Sequence, residues 1–112
     1  MKKDLRFFLK TVEERTPELL LRIKKEVNPC WELSSVQKKL ESDGRLPIVV
    51  FEKVQGHGMP IVTNLFASKR HLALALDSAA DAVVTRFAEA QTNRIKPREV
   101  KSGPVKDVVL MF

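Results

Sequence analysis

The apolar residues change period at Thr16–Pro17, and this early switch fixes what the chain can fold into: a helix joined directly to a strand. Upstream, Leu5, Phe8, Leu9 and Val12 fall at i, i+3, i+4 and i+7 on one helix face, and Asp4 stands where a cap is needed. The residue before a proline avoids the α region, so Thr16–Pro17 ends that helix. Downstream, Leu19, Leu21 and Ile23 alternate with Leu20, Arg22 and Lys24, and Val27 rejoins the apolar side. That alternation predicts a strand with one face toward a core.

The remainder keeps changing period. Asn28–Pro29 offers a capping side chain and a proline for the first helical position. Leu33, Val36 and Leu40 supply the stripe of a second helix, and Gly44 its stop. Ile48 to Val54 and Ile61 to Asn64 are β-rich runs around the turn cluster Gln55–Gly58, which predicts a hairpin or two neighbouring strands of one sheet. Ser68 is placed to cap a short helix carrying Leu72 and Leu76. Ser78 with Asp81 resembles a capping box for another helix, with Ala80, Val83, Val84 and Phe87 as its stripe. Asn93 to Pro104 is a polar connector. The run Val105 to Phe112 is apolar, and as an unpaired strand it would be an exposed edge. Either the chain continues beyond it or a partner covers it.

These elements predict an α/β (α+β) fold, a single small domain with a mixed β-sheet flanked by helices. At 112 residues and 44% hydrophobic the chain is long and apolar enough for one modest core, which excludes wholesale disorder. The formal charge of +6 speaks to association, not to fold. Cys30 is the only cysteine, so neither an internal disulfide nor a cysteine-based zinc cluster is available. Met1-Lys2-Lys3-Asp4 leads straight into the amphipathic pattern with no apolar leader core, and no run reaches the roughly 18 apolar residues of a membrane span. A cytoplasmic protein is the expectation.

Chemistry-bearing residues do not converge in the sequence. His57 lies between two glycines and reads as a solvated turn residue. His71, beside Lys69 and Arg70, reads as a surface residue. Cys30, next to Trp31, has no base nearby and reads as a buried structural thiol. Glu13, Glu14 and Glu32 read as solvated faces or i, i+4 pairs. Gln55-Gly56-His57-Gly58 lacks the spacing of a phosphate loop. Arg94, Lys96, Arg98 and Lys101 form the most basic stretch, but no stacking aromatic accompanies them, so a solvated linker is favoured over a nucleic-acid site. No catalytic, cofactor-binding or metal-binding residue is assigned.

The order of motifs nevertheless resembles the start of the UbiD family of prenylated-FMN-dependent decarboxylases. The resemblance rests on Asp4-Leu5-Arg6-Phe7-Phe8-Leu9, on Glu18 to Ile23, on Val27-Asn28-Pro29 with Glu32-Leu33, and on Val50-Phe51-Glu52-Lys53-Val54 with Gly56. Met59 to Ser68 followed by Leu72 to Leu76 is the best match, and Lys96 to Val100 with Gly103 to Val109 completes it. Three positions depart from the pattern: Thr16–Pro17 replaces a glycine turn, His71 an arginine and Asp77 a glycine. The resemblance implies that residues 1–93 are a UbiD-like N-terminal domain and that 94–112 are a connector and terminal strand leading toward an absent catalytic domain. It implies a non-catalytic domain, or a small subunit, of an oligomeric enzyme acting on an aromatic or α,β-unsaturated carboxylic acid. Prenylated FMN, a divalent metal and potassium would lie in the catalytic part. Asn64, Leu65, Phe66, Ser68, Val108 and Leu110 are the expected contacts with it. The alternatives are a stand-alone binding or regulatory module for an anionic ligand or nucleic acid and, least supported, an enzyme built on Cys30 or a histidine.

Overall fold

The computed structural model describes residues 3–111. Met1 and Lys2 of the leader reading, and Phe112 of the terminal run, lie outside the described residues. Helix α1 spans Leu5–Arg15, and an Asp4 carboxylate oxygen accepts from the Phe7 N–H at 2.9 Å as expected. Thr16 ends it, and a 3-10 turn over Pro17–Leu19 delivers the chain to β1, Leu20–Ile23. Helix α2 (Glu32–Ser42) then crosses to β2 (Ile48–Phe51). The hairpin reading holds, because β3 (Ile61–Thr63) returns antiparallel to β2 with Val49 opposite Thr63 and Phe51 opposite Ile61. Helices α3 (Lys69–Leu76) and α4 (Val83–Thr92) follow.

The sheet order is β1-β2-β3, with β1 parallel to β2 from Leu20 opposite Ile48 to Ile23 opposite Phe51. A parallel pair needs a crossover, which α2 supplies. All four residues of β2 are buried, and they divide by parity. Ile48 and Val50 pack with Leu9, Val12 and Leu19 on the α1 side. Val49 and Phe51 pack with Val27 and Val54, backed by Leu33, Val36 and Leu40 of α2. Helices therefore flank both faces of a mixed sheet, the predicted class of fold. The expectation of a one-faced strand is corrected here. Leu20 packs on the α1 side and Ile23 on the α2 side, because a sheet covered on both faces buries side chains of either parity. Val27 lies beyond β1 and pairs singly with Val54.

Four other expectations change. The Asn28 side chain accepts from the Cys30 N–H at 2.8 Å, and Glu32 Oε2 accepts from the Asn28 N–H at 2.8 Å. Asn28 thus closes a turn, and α2 starts four residues later, after Trp31 at φ +74°. Ser78 is no N-cap. Its N–H donates to the Ala73 carbonyl at 2.9 Å and closes the C-terminus of α3, with Asp77 left-handed at φ +51°. Asp81 falls in a 3-10 turn, and Ala82 occupies the N-cap of α4. Of the stripe expected on α4 only Val83 is buried, while Val84 and Phe87 are exposed. In α3 the buried residues are His71 and Ala73, with Leu72 and Leu76 intermediate. Finally, Val105 to Met111 forms no strand. A 3-10 turn covers Pro104–Lys106, and the run is exposed, because a strand needs a neighbouring edge and these residues meet none. The radius of gyration is 17.5 Å, against about 13 Å for a compact chain of this length.

Candidate functional site

The segment after β3 is held in place by its backbone. Asn64 adopts a left-handed φ of +65°, which asparagine tolerates better than most residues, and its amide Nδ2 donates to the Pro47 carbonyl at 3.1 Å. That turn sends the next two side chains different ways. Leu65 packs partly against the α1-side core. Phe66 stays 57% exposed, with its ring 5.9 Å from that of Phe8 at 38°.

The result is a groove of about 330 Å³ between α1 and the 64–66 turn. Leu5, Phe7, Phe8, Leu65, Phe66 and Ala75 give it an apolar lining, and Leu5 and Phe7 are themselves exposed. Its charged groups are largely committed. The Asp4 carboxylate is used in the helix cap, and Arg15 Nη1 lies 3.4 Å from Asp77 Oδ1. The site can therefore take apolar side chains from a partner, and it lacks a set of unpaired donors for an anion.

Ser68 turns inward. Its Oγ lies 2.8 Å from His71 Nδ1, and His71 Nε2 lies 3.3 Å from the Leu19 carbonyl oxygen. A carbonyl can only accept, so Nε2 carries the proton and Nδ1 accepts from the Ser68 hydroxyl. The surface reading of His71 is corrected, since the residue is fully buried and bridges α3 to the turn before β1. Both ring nitrogens are hydrogen-bonded, and the ring is enclosed from solvent. The reading of Cys30 is corrected too. It is exposed because it lies in the turn ahead of α2, and Trp31 beside it is 80% exposed and shields nothing. His57 is exposed in the hairpin turn.

Thus the groove brings together Leu65 and Phe66, and Asn64 and Ser68 secure the backbone around it. Val108 and Leu110 lie elsewhere, exposed on the terminal segment. Sequence reading overlooked Leu5 and Phe7 as groove residues. The signal was Phe7, an aromatic residue off the buried stripe.

On the sheet side of α1, Arg22 of β1 grips Glu13 with two nitrogens, Nη2 to Oε2 at 3.0 Å, and approaches Glu52 at 3.7 Å. Hydrogen bonding to Arg22 holds the Glu13 carboxyl below its ordinary value of 4.5, and the same bond raises Arg22. Arg70 likewise lowers Glu18, across an ion pair tying α3 to the turn before β1. Glu14 pairs with Lys10 at 3.7 Å. The Arg22 and Arg70 pairs tie elements together, whereas Lys10–Glu14 lies within α1. Among the described residues no group of three His, Cys, Asp or Glu side chains converges as a metal site would require. No helix among them is long and apolar enough to cross a membrane.

Comparison with known proteins gives a consistent set of relatives. Residues 13–91 match the UbiD N-terminal domain, described as the 3-octaprenyl-4-hydroxybenzoate carboxy-lyase N-terminal domain. A phenolic acid decarboxylase of Sedimentibacter hydroxybenzoicus is 37% identical over 75 residues, covering 66% of this chain and 15% of the relative. An uncharacterized protein of the cooM 5′ region of Rhodospirillum rubrum is 31% identical over 93 residues, 80% of this chain and 20% of that one. Among solved structures, an evolved dimeric form of the UbiD-class enzyme HmfF from Pelotomaculum thermopropionicum, in complex with prFMN, superposes with a TM-score of 0.74 at 29% identity. That match covers 87% of this chain and 22% of HmfF. The chain thus spans about a fifth or less of the length of these relatives.

Proposed function

Because the chain belongs to the UbiD N-terminal domain family, we propose that it is the non-catalytic front domain, or a separate small subunit, of a UbiD-type decarboxylase. The substrate class is an aromatic or α,β-unsaturated carboxylic acid. The observation that carries this reading is the match to HmfF over 87% of the chain, combined with an exposed apolar groove at Phe66 and α1. The sheet and its helices leave Leu5, Phe7 and Phe66 facing outward. Exposed apolar groups of this kind mark contact surfaces.

The residues present do not fit a flavin mononucleotide. Its phosphate needs several converging donors or a metal, whereas the groove offers an apolar lining with Asp4 and Arg15 engaged and Lys3 as a single further cation. Prenylated FMN, with its divalent metal and potassium, therefore belongs to a catalytic domain that this chain helps to frame, and no chemical step is carried by the residues described here. The work of this chain is structural. Leu65 and Phe66 pack on that domain and exclude water at the seam, and the Asn64 turn keeps them presented. The setting is a cytoplasmic assembly of several copies.

A tagged form of the chain recovered from its source lysate under native conditions tests this. The expected result is a larger chain that co-purifies with flavin-like absorbance, lost when Phe66→Asp is introduced. A lone, colourless species of 12.7 kDa would refute the small-subunit reading.

A further inference from the structure

We draw no further inference here: the strongest candidate, the surface patch around Trp31, which the turn ahead of α2 holds 80% exposed at φ +74°, carries nothing because nothing in the structure shows what covers it.

Discussion

Replacing His71 by alanine is expected to destabilise the chain by about 3 kcal/mol. The ring is fully buried and serves two partners, the Ser68 hydroxyl at 2.8 Å and the Leu19 carbonyl at 3.3 Å. Its removal orphans both, at about 1–3 kcal/mol for each buried polar group left unpaired, and opens a void as well. Ser68 is only half-buried, so water partly rescues its hydroxyl, and the lower half of that range applies there. For a domain of this size the loss lowers the melting temperature by about 12 °C. Urea unfolding followed by far-ultraviolet circular dichroism measures it, with the m-value unchanged if the compactness of both states is kept. Ser68→Ala removes one bond and leaves Nδ1 unpaired, costing about 1 kcal/mol. The double variant is then less destabilised than the sum, with a coupling of about 0.5–1.5 kcal/mol. A His71→Ala loss below about 0.5 kcal/mol, the level of ordinary surface changes, refutes the bridge. If His71→Ala does not fold, a Ser68→Ala variant as stable as the parent refutes it equally.

Two further changes follow from the same geometry. Asp77 sits at φ +51°, a conformation that glycine adopts freely. Asp77→Gly relieves strain at the expense of an exposed contact with Arg15 at 3.4 Å, for a net gain of about 0.5 kcal/mol in thermal melts, and a net loss would show the ion pair to dominate. The Glu13 carboxyl is held below 4.5 when folded, so its pairing with Arg22 stabilises the domain above pH 4.5 and is lost as the pH falls through the lower folded value. Both side chains are about a third exposed, which limits the contribution to under about 1 kcal/mol. Glu13→Gln therefore lowers stability at neutral pH and matches the parent in acid, and a difference that persists in acid would assign the effect to packing.

The fold was largely legible because its period changes are sharp. The α1 stripe, the stop at Thr16–Pro17, the α2 stripe and the hairpin around Gly56 each follow from local rules, and each appears. What misled was anything decided by tertiary context. Leu20 looked outward by alternation, but α1 covers that face. His71 looked exposed between cations and a short apolar run, and only the approach of the turn before β1 encloses it. Ser78 and Asp81 have capping-box spacing, yet the Ser78 N–H is already used to close α3. The candidate site was half legible. The 64–68 segment could be nominated by resemblance, whereas its partnership with Leu5, Phe7 and Phe8 requires α1 to be laid against it.

The strand pairings also impose an order of assembly. Every β1–β2 pair joins residues 28 apart in the chain, from Leu20 with Ile48 to Ile23 with Phe51. The β2–β3 pairs join residues 10 to 14 apart. Closing the longer loop costs about 0.8 kcal/mol more in chain entropy, before α2 has docked to offset it. The hairpin therefore forms first and offers β2 as a template, and β1 arrives last, bringing the Leu19 carbonyl to His71. In reverse, β1 is the first strand to leave. Pulse-labelled amides of Leu21 and Ile23, the β1 residues whose N–H groups face β2, gain protection after those of Val49 and Phe51, and simultaneous protection would mean that the sheet assembles in one step.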